Sequence, residues 1–406
     1  MNISKKADSL AKWSAIAIGF SVPISTAFDN ILLFVILISW LVGADFQKRM
    51  TVIKSNPVAL AALGFFGFLL AGCFYGQANA TEALNYLGKY LDILFIPIFI
   101  LLFKEEKTRR LAINAFMLAM GLTLVLSCII KIGIFPKSFL LQGTPDNPYV
   151  FKLHITQSIF MAFFAYLLAL KARYSESSRL RLAFALASAL AACNVLFMIQ
   201  GRTGYLVLAI LLVYYCFDWL RWKGLLVAML AFILLGTVGY FGSKTLNHRV
   251  TEAAVEFSQW QPDEANLSSI GVRMEFYRNS LELISEHPLF GVGTGGFPQA
   301  YADKIRGSGM WATGNPHNEY LLVAIQVGLL GLGVLLYLFY QHWRSANFLP
   351  TSLEQSLARG VLLTIISGSL INSLLLDHAE GLYFAWMSGV LFAGFTGVLQ
   401  NSKDKN

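Results

Sequence analysis

Long apolar stretches restrict what this chain can fold into more than any other feature of its sequence. The segments from Ile31 to Leu41 and from Leu91 to Phe103 are apolar over almost their whole length. Because hydrocarbon offers no hydrogen-bonding partners, such a segment inside a membrane has to satisfy its own backbone groups, which a helix does. Hydrophobic residues make up 56% of the chain and charged residues only 13%, against about 25% charged residues in an ordinary soluble protein. The sequence therefore predicts an all-α bundle in lipid.

Apolar windows of spanning or near-spanning length recur along the whole chain. They are centred near residues 20, 37, 65, 95, 120, 162, 190, 211, 234, 330, 367 and 390. This pattern predicts a polytopic membrane protein with about twelve transmembrane helices. Lys5, Lys6 and Lys12 precede the first window as they would in a signal peptide, but no small-residue cleavage site follows. We therefore expect a retained first helix.

The distribution of Lys and Arg predicts the orientation of the helices. Basic residues recur in the segments 45–57, 104–110 and 171–181, whereas the short connections 74–82 and 377–380 have none. The positive-inside rule then places both termini in the cytoplasm. The long segment 244–318 would then face the periplasm or the outside. This topology also explains the net charge of +8, because the basic residues are spread over loops and form no stripe for nucleic acid.

The segment 244–318 is too long to be a simple connection and has a helical pattern of its own. Ser268 and Ser269 can cap a helix that ends near His287-Pro288. Apolar residues recur in it at helical spacing: Ile270, Met274, Tyr277 and Leu281. A glycine-rich turn and a short polar motif follow, and the motif leads directly into a span. We expect one domain, residues 1–406, with residues 244–318 inserted as a cap before the last three spans.

Two arginines are candidates for binding an anion. Arg202 lies at the outer boundary of two apolar segments, where the positive-inside pattern places no positive charge. Gly201 and Gly204 beside it would let a phosphate approach the backbone closely. Arg273 and Arg278 both lie on the predicted cap helix, but their spacing puts them on different faces, and we prefer Arg273. A guanidinium group can donate two parallel hydrogen bonds to phosphate oxygens. The simpler alternatives are a snorkelling arginine at position 202 and a solvated one at position 273.

His317 is the candidate general base. It follows Asn315 and Pro316 at the start of a span, and proline is favoured in the first turn of a helix. A helix N-terminus disfavours the imidazolium form, so we expect a neutral ring near pH 7, the state that can take a proton from a hydroxyl group. The alternative is a histidine that caps its own helix at the membrane interface.

A few other polar residues fall within or beside apolar segments, where charge is costly and tends to mark a polar cavity. Lys89 and Asp92 lie within the fourth predicted span, and Asp377 and His378 are placed at the end of the eleventh. Of these, Lys89 is the best candidate for a functional role. A solvated helix end explains Asp377 equally well, and His154 is ambiguous.

The sequence offers little for nucleotide or metal chemistry. The turn Gly291 to Gly296 superficially resembles a nucleotide loop, but it follows a helix on the predicted outer side, so we do not expect nucleotide binding. The cysteines fall inside apolar segments without metal-like spacing, and the outer loops have no paired acidic motif for a metal-bound diphosphate. We therefore expect no cofactor, no metal and no disulfide.

The motifs together resemble those of the bacterial O-antigen ligases, in the superfamily that also contains O-antigen polymerases and protein O-oligosaccharyltransferases. The resemblance is carried by the segments Gln200 to Gly204, Glu286 to Gly295 and Asn315 to Tyr320, and by a large loop before the last three predicted spans. It implies a fold like that of the GT-C glycosyltransferases. The implied activity is transfer of O-antigen polysaccharide en bloc from undecaprenyl diphosphate to a sugar hydroxyl of lipid A-core oligosaccharide, at the periplasmic face and without metal or nucleotide, in lipopolysaccharide biosynthesis.

The resemblance also implies roles for individual residues. His317, Arg202 and Arg273 match the family's essential histidine and arginines, and Lys89 and Asp377 are weaker matches for substrate binding. In the resulting hypothesis, the arginines grip the diphosphate while the histidine deprotonates the acceptor, with inversion at the anomeric carbon. An O-antigen polymerase or a protein O-oligosaccharyltransferase would use the same donor. A transporter or flippase would also have many spans, but we find no matching pair of Gly/Pro-interrupted spans in two halves.

Overall fold

The computed structural model of the protein describes residues 3–43, 46–134, 142–242, 244–261 and 268–396. Within these ranges the chain is helical, and its single β-like feature is an isolated bridge between Thr144 and Asn147. The α-helices are, in chain order, α1 Ile3–Ser21, α2 Thr26–Val42, α3 Phe46–Lys54, α4 Pro57–Gly72, α5 Ala80–Lys89, α6 Phe95–Leu102, α7 Glu106–Lys131, α8 His154–Arg173, α9 Ser178–Cys193, α10 Arg202–Leu220, α11 Trp222–Gly242, α12 Lys244–Ser258, α13 Ser269–Glu286, α14 Phe297–Lys304, α15 Glu319–Ser345, α16 Ser352–Gly368 and α17 His378–Phe392.

Several of these helices can cross a membrane, so the chain is an all-helical, multi-pass membrane protein. By length and apolar composition, five of the described helices qualify: α7, α8, α10, and α9 and α15 with their extensions to Met198 and Phe348. The bent pair α5 and α6 would make a sixth, and α2, α4 and the first part of α11 are shorter apolar helices. A helix is present at each predicted apolar window. The higher count of about twelve spans stays a prediction.

The core is organised around α17, in which every residue from Glu380 to Phe392 is buried. The Tyr383 ring lies 5.1 Å from Phe160 and 5.3 Å from Phe163, both on α8. On the next turn, the Trp386 indole N–H donates to the Ala15 carbonyl of α1 at 2.8 Å. A helix that is apolar all round belongs in the interior of a bundle. The end of α17 that carries His378 is thereby held among the helices that surround the site described below.

The fourth predicted span is two helices with a break between them. A short 3-10 helix, Leu91–Leu94, leads from α5 into α6, and the two parts are bent by 54°. Lys89 ends α5 and Asp92 lies in the break. A break leaves backbone groups without helical partners, and in membrane proteins such irregular backbone is tolerated where it is buried in protein or lines a cavity.

A second break interrupts α15 at Val327 and Gly328, where Gly328 has φ 70°. The glycine-rich turn of the cap fills this gap and satisfies backbone groups that the break leaves without helical partners. Four backbone hydrogen bonds join the two segments: Val292 N–H to the Ile325 carbonyl at 2.8 Å, Gly293 N–H to that of Gln326 at 2.7 Å, Leu329 N–H to that of Pro288 at 2.8 Å, and Leu330 N–H to that of Leu289 at 3.5 Å. The turn therefore packs into the kink of α15 and provides hydrogen-bonding partners for its backbone there.

Glycine is required where these backbones meet. Gly293 has φ 90°, and a Cβ atom there would lie 2.1 Å from the Gly76 Cα atom that follows α4. A Cβ atom on Gly328 would lie 2.0 Å from the Leu289 carbonyl oxygen. Both positions combine a left-handed backbone with close approach of another chain segment, so no side chain fits at either.

The predicted cap helix is present as α13, and its start is confirmed. The Ser268 side chain caps it by accepting a hydrogen bond from the Gly271 N–H at 3.0 Å. The predicted apolar stripe was wrong at Leu281, which is 60% exposed. Burial instead follows Phe276 and Leu283, because this face packs towards α14, with the Phe276 and Tyr301 rings 5.7 Å apart.

Candidate functional site

Three of the predicted site residues come from distant parts of the sequence and meet at one end of the bundle. Arg202 begins α10, Arg273 lies on α13 and His317 lies just before α15. The Arg202 charge acts on Arg273, and the Arg273 charge acts on His317. We call this place the arginine–histidine site. Two cations and an imidazole side by side can receive an anion and a hydroxyl group together.

Arg202 is held by two carboxylates of α12. Its guanidinium lies 3.0 Å from a Glu252 oxygen and 3.9 Å from a Glu256 oxygen, and its side chain is 23% exposed. Residues four apart share one face of a helix, which explains why both acids reach the same cation. Arg202 is therefore engaged by other side chains of the protein. Neither glutamate was identified from the sequence.

The glycines beside Arg202 have a different role from the predicted one. A Cβ atom on Gly201 would lie 2.1 Å from the Ser158 Oγ atom, and one on Gly204 would lie 2.5 Å from the Ser158 Cβ atom. Both positions thus face α8, and they allow α8 and α10 to pack closely. The expectation that they leave room for a phosphate is not supported, because the space is filled by this helix contact.

Arg273 lies half-buried between the other two predicted residues. Burial lowers the pKa of its guanidinium, Tyr277 raises it, Arg202 lowers it and Glu256 raises it. Arginine nevertheless stays charged at any physiological pH. Arg278 lies on another face of α13, where it pairs with Glu275 at 3.1 Å, as the spacing of five residues predicts.

His317 lies outside the helix that it was expected to begin. Asn318 is the N-cap of α15, since its side chain accepts a hydrogen bond from the Leu321 N–H at 3.1 Å, so Pro316 is not in the first turn. His317 itself has φ 55°, a conformation that non-glycine residues seldom adopt. Burial lowers the pKa of its imidazole, and the Arg273 charge lowers it further. A neutral ring was expected, but for a different reason, the helix N-terminus.

Neighbouring groups hold the backbone of His317 in this conformation. The Asn315 side-chain oxygen accepts hydrogen bonds from the His317 N–H at 2.8 Å and from the Ser373 hydroxyl at 2.7 Å. The Tyr277 hydroxyl lies 3.1 Å from the His317 carbonyl oxygen and 3.0 Å from that of Leu370, so its proton is shared between them. The imidazole stacks on Phe276 at 6.2 Å. These contacts fix the ring with respect to α13 and to the segment between α16 and α17.

Glu319 was not assigned a role from the sequence, although it lies in the same motif as His317. It is fully buried, and its carboxylate accepts hydrogen bonds from the Tyr90 hydroxyl at 2.8 Å and from the Leu375 N–H at 2.9 Å. Its own N–H donates to the Ser369 carbonyl at 3.0 Å. Because it is also the first residue of α15, the helix dipole favours its negative charge. Glu319 thereby joins α15 to the break after α5 and to the segment before α17.

The weaker candidates, Lys89 and Asp377, lie near each other beside this network. The Lys89 ammonium lies 4.8 Å from the centre of the Tyr86 ring, and its charge acts on Asp377. Asp377 is the N-cap residue of α17 and His378 its first residue. Their predicted place at the end of the eleventh span was therefore wrong, because α16 already ends at Gly368. The Tyr86 hydroxyl donates to the Gly314 carbonyl, which places this pair close to the chain that leads to His317.

A second polar cluster lies nearby, and two of its four residues, Asp92 and His378, were singled out from the sequence. The His378 imidazole lies 2.8 Å from the Asp92 carboxylate, and the Lys152 ammonium lies 3.8 Å from that of Asp29. The four residues come from the break after α5, the start of α17, the segment before α8, and α2. The contacts between these residues join distant segments of the chain, so no local sequence pattern predicts them. His154, which was ambiguous, begins α8 with its ring 6.0 Å from Tyr149.

Across the part of the chain that the structure describes, no three His, Cys, Asp or Glu side chains are grouped so that they could hold a metal ion. A metal-independent reaction stays a prediction.

Comparison with known proteins relates one segment of the chain to a known family. A model of the O-antigen ligase family matches residues 186–336, the segment that contains Arg202, Arg273 and His317. This segment is therefore similar to the O-antigen ligase superfamily, whose members are glycosyltransferase-like ligases and polymerases. It is also 26% identical over 115 residues to an uncharacterized protein of Haemophilus influenzae. That alignment covers 27% of this chain and 29% of the relative, so it spans less than a third of either protein.

Proposed function

We propose that this protein is an O-antigen ligase of the bacterial inner membrane. It would transfer O-antigen polysaccharide from undecaprenyl diphosphate to a sugar hydroxyl of lipid A-core oligosaccharide, in a fold with about twelve spans and a periplasmic cap. The observation that carries the proposal is the meeting of two guanidinium groups with an imidazole whose pKa is lowered. This arrangement supplies anion-binding groups and a neutral base within one site.

The arginines bind the donor in this proposal. A diphosphate would take the place of Glu252 and Glu256 at Arg202, while Arg273 approaches it from α13. Planar guanidinium groups suit phosphate oxygens because each can donate two parallel hydrogen bonds. The same groups stabilise the negative charge that grows on the diphosphate as it leaves, and such a contact is worth about 10² to 10³ in rate.

His317 acts as the base for the acceptor. Its neutral imidazole takes the proton of the acceptor hydroxyl as that oxygen attacks the anomeric carbon of the donor. The bond between the anomeric carbon and the diphosphate oxygen breaks, and its electron pair leaves with the diphosphate. Direct displacement inverts the anomeric centre. Lys89 and Asp377 are proposed to bind substrate beside this centre, at the break after α5.

The decisive experiment measures transfer by purified protein from undecaprenyl-diphosphate-linked glycan to lipid A-core. We expect product with the wild-type protein and a rate at least about 10²-fold lower with His317→Ala. His287→Ala is the matched control, because His287 is an exposed histidine of the same segment and should leave the rate unchanged. Transfer by His317→Ala at the wild-type rate would remove His317 as the base.

The same assay separates the ligase from its relatives. Growth of polymer on the lipid carrier, with no product on lipid A-core, would make the protein a polymerase. Product on a protein acceptor alone would make it a protein O-oligosaccharyltransferase. Lipid-linked glycan trapped at the cytoplasmic face of a deletion strain would instead indicate a flippase.

A further inference from the structure

A cavity of about 730 Å³ lies between the end of α11 and α12. Its walls include two aromatic residues of α11, Tyr240 and Phe241, and three polar residues of α12, Asn247, His248 and Thr251. Small-molecule sites typically enclose about 300–1,000 Å³ and combine apolar walls with a few polar groups. The size and composition of this cavity are therefore those of a ligand site.

One residue connects the cavity to the arginine–histidine site. Glu252 lines the cavity, and its carboxylate lies 3.0 Å from the Arg202 guanidinium. A donor whose diphosphate replaced that carboxylate at Arg202 would have its neighbouring groups at the mouth of the cavity. In a lipid-linked glycan, the groups attached to the diphosphate are the prenyl chain on one side and the first sugar on the other.

The lining favours the sugar over the prenyl chain. Asn247 donates to the Tyr240 carbonyl at 3.2 Å, whereas His248 and Thr251 are exposed. A hydrocarbon chain would remove the last two from water without offering them a hydrogen bond, which is costly. A sugar can instead bond to both and lay its C–H face on an aromatic ring. Phe241 suits this contact, since it is 83% exposed and meets the Tyr240 ring edge-on at 5.3 Å.

We propose that the cavity between α11 and α12 is a carbohydrate subsite for the sugars of the donor next to the diphosphate. The assignment rests on the proposed function in that the donor is a lipid-linked glycan. It adds a surface that binds the glycan of the donor. This surface is formed by Tyr240, Phe241 and the polar face of α12. Selection among donors would then be made here, away from the arginines that bind every donor alike.

The test compares Phe241→Ala with Phe257→Ala. Phe257 is a matched control, because it is 62% exposed on α12 and is not part of the cavity lining. We expect Phe241→Ala to raise the apparent KM for the lipid-linked donor about 3- to 10-fold, the effect of losing one aromatic contact. The inhibition constant of undecaprenyl diphosphate without sugar should stay the same, and Phe257→Ala should change neither constant. An equal rise in that inhibition constant would assign the cavity to the prenyl chain and overturn the proposal.

Direct binding distinguishes failure of the subsite from failure of the proposed function. The probe is the oligosaccharide released by mild acid from the donor, observed by saturation-transfer NMR with the purified full-length protein. Binding to the wild type and to Phe257→Ala, with loss of the signal in Phe241→Ala and Tyr240→Ala, would support the subsite even if no transfer occurred. The same signal in all four proteins, or none in the wild type, would overturn the subsite while leaving the ligase assay to stand separately.

Discussion

The conformation and surroundings of His317 together set its chemistry. Its backbone has φ 55°, which costs free energy and is tolerated where neighbouring contacts enforce it. Those contacts bring the imidazole beside the half-buried Arg273, whose charge disfavours protonation of the ring. In the proposed reaction, Arg273 would both keep the base neutral and bind the diphosphate.

A pH profile tests this arrangement. Because burial and Arg273 lower the pKa of His317 below 6.5, the neutral form persists as the pH falls, and the acid limb of kcat/KM should lie below pH 6.5. Arg273→Gln removes one of the two causes, so the limb of its residual activity should move up towards pH 6.5, on top of a lower rate. Arg278→Gln is the control and should leave the limb in place. A wild-type limb above pH 6.5 would contradict this account.

Glu319 provides a test of the network behind the histidine. In Glu319→Leu, no side-chain oxygen remains to accept a hydrogen bond, so the Tyr90 hydroxyl and the Leu375 N–H both lose their partner. We expect a loss of about 1–3 kcal/mol in the free energy of unfolding, measured by denaturation in detergent. Adding Tyr90→Phe should cost less in this background than in the wild type, because the two side chains share one bond. Additive losses would show that the pair is not coupled.

The sequence singled out the individual candidate residues better than it indicated their partners. Arg202, Arg273 and His317 stand out because their residue types are unusual where they occur, and the structure brings them together. The carboxylates of Glu252 and Glu256 do not stand out, because acidic residues on a polar helix are ordinary. Their importance comes from the packing of α12 against the start of α10, which no local pattern encodes.

At the scale of the helices, the contact of the glycine turn with the break in α15 predicts that a side chain at Gly293 destabilises the protein. Gly293→Ala places a methyl group against the Gly76 backbone at a positive φ, and we expect it to cost about 2 kcal/mol or more. Gly333→Ala is the matched control on α15, since a Cβ atom there meets nothing within 4 Å and helix propensity favours alanine by up to about 1 kcal/mol. The thermal midpoint in detergent should fall for the first variant and stay level or rise for the second. Equal midpoints would show that the close approach is not needed.

Helix starts were easier to predict than helix breaks. Ser268 caps α13 through a bond within its own turn, so the signal is local. The break at Val327 and Gly328 lies inside a continuous apolar run, and the backbone partners that make it possible come from residues 288–293. Such a break depends on a contact between distant segments, and hydropathy cannot reveal it.

For the whole molecule, the orientation in the membrane is still a prediction, and cysteine labelling tests it. In a cysteine-free background, a membrane-impermeant maleimide added to intact spheroplasts should label Ser308→Cys, in the cap. It should label Glu176→Cys, in the connection between α8 and α9, only after the cells are opened. Both residues are exposed, so accessibility within the protein is matched. Labelling of Glu176→Cys alone in intact cells would invert the predicted topology.

The helical architecture follows from the sequence because the bilayer imposes one rule on every apolar segment. The assembly of the helices does not follow in the same way, since lipid tails are as apolar as leucine and give little preference for one neighbour over another. The central place of α17, for example, depends on aromatic contacts with α8 and on the bond from Trp386 to α1. Such contacts depend on the shapes of the side chains and on individual hydrogen bonds, which hydropathy does not describe.

The turn seated in the kink of α15 also limits how this protein can be recombined with its relatives. The cap looks like an independent insertion when the sequence is read alone. In the structure, residues 288–293 take the place of a missing piece of helix and rest on the turn after α4. A chimera that exchanged the cap alone would pair foreign glycines with a native kink, so an exchangeable unit has to include the first half of α15 and residues 72–76 as well.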